Sequence, residues 1–287
     1  MEKTSGGPLA IIAGSGSAPR HVAAAAQASG RRVFIVGMEG EADADIADFN
    51  HTWLNWGQIG SLGRIIGEQG AREVVLIGGI KVRPDFAKLQ LDRATANAID
   101  EIRAHIVGGD DNVLSGAVRL LEAGGLRVVG AHEVAADLVA APGPLGRCET
   151  SRQNRADILL AMEAARLVGK LDAGQAAVVV EGHVIALEGA EGTDAMMDRV
   201  RQVRDLRGLW RSRAGVLAKC AKPQQDLRVD MPAIGPRTVD GVAAAGLAGI
   251  AIEAGRVMIV DRAETIGRAD AADVFIVGET AARPRRQ

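Results

Sequence analysis

The first half of the chain alternates short runs of apolar, mostly β-branched residues with longer stretches of helical periodicity. Four of these runs are predicted to be strands, at 9–13, 33–37, 73–77 and 127–130. Helices are predicted between and beside them, at about 19–29, 60–69, 88–105 and 114–123. Strands that alternate with helices build βαβ units, so the sequence predicts an α/β fold with a parallel sheet covered on both faces.

The second half has a different texture. The runs 176–180 and 183–187 are separated only by Glu181 and Gly182, which predicts a β-hairpin. Further strands are predicted at 216–219, 249–253, 257–260 and 273–278, and helices at about 153–168, 196–207 and 239–245. The segment 141–146 holds two prolines and two glycines, which predicts a linker without regular structure between two domains, 1–140 and 141–287.

Composition excludes several classes of function. The 287 residues give room for two domains, and a formal net charge of −2 leaves no general basic field for nucleic acid. Aromatic residues make up 2% of the chain, too few for a platform on which bases stack. Cys148 and Cys220 lack the spacing of a zinc site or a disulfide framework. No run reaches the about 18 apolar residues of a membrane span, so we expect a cytoplasmic protein.

The turn after the first predicted strand is rich in glycine, with Gly14, Ser15 and Gly16 ahead of Pro19. Glycines let a backbone approach a ligand closely, and free N–H groups at a helix start favour a phosphate. A phosphate or nucleotide loop and a purely structural tight turn are both open. The dinucleotide fingerprint is incomplete, because the third glycine and an acidic residue at the end of the second strand are missing.

Two more polar segments stand at the ends of predicted elements in this half. Gly78 and Gly79 precede Lys81 and Arg83, which suits either a phosphate or a solvated basic loop. Asp110 and its neighbour Asp111 stand before a predicted helix, where a carboxylate either caps the helix or holds a divalent ion or ribose hydroxyls.

The second half carries its polar residues in two places. Gly192, Thr193 and Asp194 precede a predicted helix, as caps or as a binding site at its N-terminus. The segment 219–238 is long, polar and bounded by prolines. Within it Asp226, Arg228 and Asp230 alternate, so in an extended segment they would share one face. That face would suit phosphate plus metal, and the alternative is a stripe of surface ion pairs.

Taken together and in order, these segments resemble the UDP-2,3-diacylglucosamine pyrophosphatases of lipid A synthesis, of the type unrelated to calcineurin-like metallophosphoesterases. The resemblance runs from about residue 9 to 278, and the motifs that carry it are Gly14-x-Gly16-x-x-Pro19, Gly78-Gly79-x-Lys81-x-Arg83-Pro84, Gly109-Asp110-Asp111, Glu191-Gly192-Thr193-Asp194 and Lys222-Pro223-x-Gln225-Asp226-x-Arg228-x-Asp230-x-Pro232.

The resemblance implies a reaction and an architecture. Water and UDP-2,3-diacylglucosamine would give UMP and the lipid product 2,3-diacylglucosamine 1-phosphate, with a divalent cation, Mg²⁺, as cofactor. A Rossmann-like N-terminal domain with a parallel sheet would accompany a distinct α/β C-terminal domain. The family's essential aspartate corresponds to Asp226, which would hold the metal or activate water.

The other motif residues would bind substrate, and Lys219 is added to them as a nearby cation. Two further partners are left open, a transient contact with the surface of the inner membrane and a second copy of the chain in a homodimer. Two other functions are weighed beside the pyrophosphatase: a nucleotide-binding regulatory module without turnover, and an NAD-linked oxidoreductase. A simple binding module would not need the segment 222–230, and the oxidoreductase lacks its acidic residue.

Overall fold

The computed structural model describes residues 6–80, 85, 87–106, 110–208, 210 and 212–280, and for 101, 103–106, 110–113 and 207 it describes the backbone alone. The chain divides into two compact units. The N-terminal unit comprises Met1–Ala136 together with Asp226–Asp230, and the C-terminal unit comprises Asp137–Gln225 and Met231–Gln287. A five-residue segment from late in the sequence is therefore part of the N-terminal unit.

The N-terminal unit is built on one five-stranded sheet. In chain order its elements are β1 (Leu9–Ala13), α1 (Ala18–Ala28), β2 (Val33–Met38), β3 (His51–Leu54), α2 (Leu62–Glu68), β4 (Glu73–Ile77), α3 (Arg93–Ile106), α4 (Asp110–Ala123), β5 (Arg127–Val128) and α5 (Ala131–Val134). The strand order is β3-β2-β1-β4-β5, and every neighbouring pair is parallel. The prediction of an α/β unit with a parallel sheet is confirmed. Strand β3, at the edge of the sheet, was not predicted.

One face of this sheet is buried under α2 and α4. The residues that pack there include Ala10, Phe34, Val36 and Val74 from the strands, with Ile66, Val118 and Leu121 from the helices. Val229, from the late segment, packs against the same cluster. Burial of its apolar side chain helps to explain why that segment belongs to this unit.

The C-terminal unit holds a six-stranded mixed sheet. Its elements are β6 (Gly143–Pro144), α6 (Arg152–Lys170), β7 (Ala176–Val180), β8 (His183–Leu187), α7 (Gly192–Arg207), β9 (Val216–Lys219), β10 (Ala233–Ile234), α8 (Pro236–Ala244), β11 (Gly249–Glu253), β12 (Met258–Ile259), α9 (Arg262–Ala271) and β13 (Phe275–Glu279). The order is β6-β13-β11-β9-β7-β8, with β13, β11 and β9 parallel and the other three strands antiparallel to their neighbours. Strands β10 and β12 form a separate parallel pair. The prediction of a second, distinct α/β unit is confirmed.

Both faces of the six-stranded sheet are covered. Ala177 and Val179 of β7 face α6 and pack with Ile158 and Met162. Val178, between them, faces the other way, into a cluster that holds residues of α7, α8 and α9. The alternation follows from the two-residue period of a strand. Full burial on both faces explains why β7 is an uninterrupted apolar run.

The sequence predicts that the proline and glycine run 141–146 has no regular structure, and this prediction is wrong. Gly143 and Pro144 form β6, which pairs antiparallel with β13 at the edge of the sheet. Leu145 donates its N–H to the carbonyl of Ile276, 2.9 Å away. Proline is tolerated at a sheet edge, where one side of the strand needs no N–H donor. The domain boundary drawn at 140 stays a prediction.

The turn of the β7–β8 hairpin is held by a buried carboxylate. Glu181 and Gly182 both have positive φ, 50° and 78°. Their N–H groups donate to the two oxygens of Asp157 on α6, at 3.0 and 2.8 Å. Asp157 is 3% exposed. One helix side chain thus fixes both central residues of the turn.

We expect Asp157→Ala to destabilise the protein by about 1–3 kcal/mol, because two hydrogen bonds to a buried charged acceptor are lost. Urea unfolding followed by circular dichroism measures the change. Glu163→Ala is the matched control, because Glu163 lies on the same helix and is exposed, so its effect should stay within about 0.5 kcal/mol. Equal shifts for the two variants would contradict the role given to Asp157.

Candidate functional site

The loops after β1 and β4 meet at one edge of the N-terminal sheet. Ser15 and Gly79 exchange both backbone hydrogen bonds, at 2.8 and 2.9 Å, and the Ser15 hydroxyl donates to the Gly79 carbonyl at 3.0 Å. The N–H of Gly14 donates to the carbonyl of Ile77 at 2.9 Å. The predicted binding residues Gly14, Ser15 and Gly79 are therefore brought together, at the carboxyl end of two neighbouring strands. Their N–H groups are used within the unit.

Glycine is required here by the close approach of two backbones. A Cβ on Gly14 would lie 2.4 Å from the Gly79 oxygen, and one on Gly78 would lie 2.6 Å from the Gly14 carbonyl carbon. Gly78 also has a φ of 105°, a conformation that favours glycine. These contacts support the structural alternative for Gly14 and Gly78.

Gly16 differs from its neighbours. Its φ is 96°, and open space surrounds the position of a Cβ. Its N–H donates to Oδ2 of Asp43, 2.7 Å away. A carboxylate thus accepts the hydrogen bond that a phosphate was predicted to accept. Asp43 lies five residues beyond the end of β2. The dinucleotide fingerprint places its acidic residue at the end of that strand, so sequence analysis missed Asp43.

Two predicted residues of this unit cannot be placed beside these loops. Lys81 lies outside the described residues. Asp110 is the first residue of α4, in agreement with its predicted place at the start of a helix. Only the backbone of Asp110 is described. Their predicted binding roles stay predictions.

In the C-terminal unit, a buried chain of hydrogen bonds joins the start of α7 to the end of β9. Lys219 donates from Nζ to Thr193 Oγ1 and to the Ala233 carbonyl, each at 3.0 Å. The Thr193 hydroxyl donates to Oε1 of Glu188 at 2.5 Å, and Glu188 also accepts from the Gln175 N–H at 2.7 Å. Lys219 and Glu188 are 8% and 7% exposed. Thr193 and Lys219, both predicted, therefore meet, and Glu188 is a partner that no motif indicated.

Four other predicted residues of this unit make different contacts. Gly192 begins α7 with a φ of 81°, and Asp194 faces Arg237 at 3.8 Å in an exposed ion pair. Lys222 pairs through Nζ with Asp172 at 2.8 Å. The backbone N–H of Lys222 donates to Oε1 of Gln225 at 3.1 Å. Gln225 is buried. Lys222 and Gln225 thus close the turn that leads to Asp226.

The segment from Asp226 to Asp230 is a helical turn. The N–H groups of Val229 and Asp230 both donate to the Asp226 carbonyl, at 3.1 and 3.0 Å. The segment is therefore not extended, and the condition under which Asp226, Arg228 and Asp230 would share one face of a strand is not met. The turn instead folds Arg228 back onto Asp226.

Asp226 and Arg228 form a bidentate ion pair. Nε of Arg228 lies 3.0 Å from Oδ1 of Asp226, and Nη2 lies 2.7 Å from Oδ2. The Arg228 backbone N–H also donates to Oδ1, at 3.1 Å. Hydrogen bonds from Arg228 lower the pKa of Asp226 below its ordinary value, against an opposing contribution from burial. The Asp226 carboxylate is therefore charged at neutral pH, with 29% of its side chain exposed.

A metal cage built from protein ligands alone is not found in the part of the chain that the structure describes, since no three His, Cys, Asp or Glu side chains converge there. Mg²⁺ does not need such a cage, because it commonly binds one or two carboxylates together with phosphate oxygens and water. The partly exposed, ionised carboxylate of Asp226 is a hard oxygen ligand of that kind. None of the described helices is both long and apolar enough to cross a membrane.

Comparison with known proteins covers both units. The family model described as LpxI N-terminal domain matches residues 8–138, and the model described as LpxI C-terminal domain matches residues 141–277. The chain is also similar to the UDP-2,3-diacylglucosamine pyrophosphatase LpxI of Caulobacter vibrioides. The two are 38% identical over 271 residues, which span 94% of this chain and 96% of that protein.

We expect Gly14→Ala to destabilise the protein by about 1–3 kcal/mol, because the new methyl group must displace the Gly79 backbone. Gly63→Ala is the control, since Gly63 lies in α2 with open space around it, and alanine there should be neutral or stabilising by up to about 1 kcal/mol. Urea unfolding of both variants makes the comparison. A Gly14→Ala variant as stable as the wild type would show that the two loops do not pack as described.

Proposed function

The chain belongs to the LpxI family, and we propose that it hydrolyses the pyrophosphate of UDP-2,3-diacylglucosamine. The observation that carries the proposal is the similarity to the Caulobacter pyrophosphatase, which extends over nearly the whole length of both chains. In the reaction a water oxygen bonds to one phosphorus, and the bridging oxygen leaves with the other. The products are UMP and 2,3-diacylglucosamine 1-phosphate.

Asp226 is the catalytic carboxylate in this proposal. Sequence reasoning left two roles for it, holding a metal ion or accepting a proton from water. A general base works best when its pKa lies near the working pH. The Arg228 hydrogen bonds move the pKa of Asp226 in the opposite direction. This supports a role in which the carboxylate keeps its negative charge throughout, as a metal ligand does.

Mg²⁺ would be held by Asp226 and by oxygens of the substrate. When bound, the cation neutralises charge that builds up on the phosphoryl oxygens during hydrolysis. The protein's own contribution is to keep a charged carboxylate in one position, which the bidentate contact with Arg228 supports. The same carboxylate is partly exposed to solvent.

Each unit holds some of the predicted substrate-binding residues. Gly16 has the open space that a ligand needs, so it stays the strongest candidate of the first loop. Thr193 and Lys219 form hydrogen bonds with each other, Thr193 with Glu188 and Lys219 with Ala233. This supports a role in shaping the start of α7 for these two residues. We expect the reaction in the cytoplasm, with a transient contact at the inner-membrane surface where the lipid resides.

We expect Asp226→Asn to reduce UMP release from UDP-2,3-diacylglucosamine by a factor of about 10³ or more, because the charge is lost while the shape is kept. The folded variant should retain uncleaved substrate, since binding is spread over many other groups. Turnover and the mass of co-purified lipid are measured on one preparation. Asp240→Asn, at an exposed carboxylate paired with Arg268, is the control and should keep full activity. Activity above about a tenth of the wild-type value in Asp226→Asn would reject the catalytic role, because the transition state would then have lost less than ~1.4 kcal/mol of stabilisation.

Removing divalent cations tests the metal separately. Wild-type protein treated with excess EDTA should lose nearly all UMP release, and added Mg²⁺ should restore it, because the pyrophosphate charge is then neutralised again. Asp226→Asn should not recover at any Mg²⁺ concentration. Full turnover in excess EDTA would show that the reaction needs no exchangeable metal.

A further inference from the structure

The guanidinium group of Arg228 spans two carboxylates. Nε and Nη2 donate to Asp226, and Nη1 donates to Oε1 of Glu122, 2.9 Å away. A planar guanidinium with donors in a fixed fork holds a carboxylate in one orientation, which a lysine ammonium cannot do. The direction of the Asp226 side chain is thus coupled, through Arg228, to the position of Glu122.

Glu122 has a fixed position because of its helix. It lies one residue from the end of α4, next to Leu121, and Leu121 and Val118 are both buried in the core under the N-terminal sheet. The side chain of Glu122 is 41% exposed, so its carboxylate reaches Arg228 from a helix that is itself anchored.

The turn that carries Asp226 is attached to the same core at a neighbouring point. Val229 packs against the cluster to which Val118 and Leu121 belong. The N–H groups of Val229 and Asp230 close the turn on the Asp226 carbonyl. One apolar contact and one ion pair therefore hold both the backbone and the side chain of the carboxylate.

We infer that Arg228 and Glu122 are positioning residues that hold the Asp226 carboxylate in its reactive orientation. The inference rests on the proposed function of Asp226. It changes the role that sequence analysis gave to Arg228, from binding substrate to holding a protein carboxylate. It adds Glu122, a residue that no motif contains.

A simple surface ion pair would not hold a catalytic carboxylate in its reactive orientation. Exposed pairs contribute little to stability, typically below about 1 kcal/mol. The effect expected here is on orientation, and a displacement of about 1 Å at a reacting group can cost a factor of about 10² in rate. Positioning should therefore appear in kcat, with the Michaelis constant unchanged. A residue that grips the diphosphate of the substrate should change the Michaelis constant.

The experiment compares Glu122→Gln, Arg228→Lys and the control Glu68→Gln. Glu68 pairs with Arg64 in an exposed i,i+4 contact on α2. Two readouts are taken on the full chain: kcat and the Michaelis constant for UDP-2,3-diacylglucosamine, and amide hydrogen exchange of peptides covering residues 223–232. The exchange measurement needs neither substrate nor metal.

We expect kcat to fall about 10- to 100-fold in Arg228→Lys and about 3- to 10-fold in Glu122→Gln, with Michaelis constants within about twofold of wild type. The amides of Val229 and Asp230 should exchange faster in both variants, and Glu68→Gln should match the wild type in every readout.

Two results would overturn the inference. One is a Glu122→Gln variant that matches Glu68→Gln in kcat and in exchange. The other is an Arg228→Lys variant whose Michaelis constant rises while kcat stays constant, since Arg228 would then bind substrate. A wild-type chain that releases no UMP would reject the proposed function instead. Faster exchange in Glu122→Gln would then still support the conclusion that Glu122 and Arg228 hold the turn from Asp226 to Asp230. Unchanged exchange would overturn that conclusion.

Discussion

The proposed active site depends on one ion pair, the bidentate contact between Asp226 and Arg228. A carboxylate that holds a metal ion has to stay charged and to point in one direction. Arg228 provides both conditions, because its donors stabilise the ionised form and its planar fork fixes the orientation. The turn from Asp226 to Asp230 makes this contact by folding back on itself, and Val229 ties that turn to the core of the N-terminal unit. A residue encoded late in the chain is thereby held by elements encoded early.

Each unit also shows how polar groups at strand ends are used within the protein itself. In the N-terminal unit, Gly14 and Gly79 let two loops pair backbone to backbone, so most of their N–H groups are occupied. In the C-terminal unit, Lys219 at the end of β9 is buried against Thr193. The carboxyl ends of parallel strands are where open α/β sheets bind ligands. The structure shows that much of the polar chemistry at these ends organises loops, whereas Gly16, in the loop after β1, combines a positive φ with open space around it.

Much of the fold could be predicted, because strands buried on both faces are uninterrupted apolar runs. The bounds of β1, β4, β7, β9 and β11 agree with the predicted strands. The edge strand β8 is mostly exposed, and it was predicted from the hairpin pattern around Glu181 and Gly182. Two other edge strands escaped prediction for a physical reason: β3 is only partly buried and β6 consists of Gly143 and Pro144, so neither has the pattern of a core strand. For the site, the polar and proline-bounded segment directed attention to Asp226, but the sequence left open whether the segment is extended, and the backbone forms a turn. Asp43, Glu122 and Glu188 were missed because each is an ordinary acidic residue in sequence, and only tertiary structure supplies its partner.

In the proposed reaction, water cleaves one of the two bonds between phosphorus and the bridging oxygen of the pyrophosphate. Hydrolysis in water enriched with oxygen-18, followed by mass spectrometry of both products, tests this step. We expect UMP and 2,3-diacylglucosamine 1-phosphate, with a single heavy oxygen in the phosphate group of one of them. Release of UDP with a free sugar lipid, or products that carry no heavy oxygen, would contradict hydrolysis of the pyrophosphate.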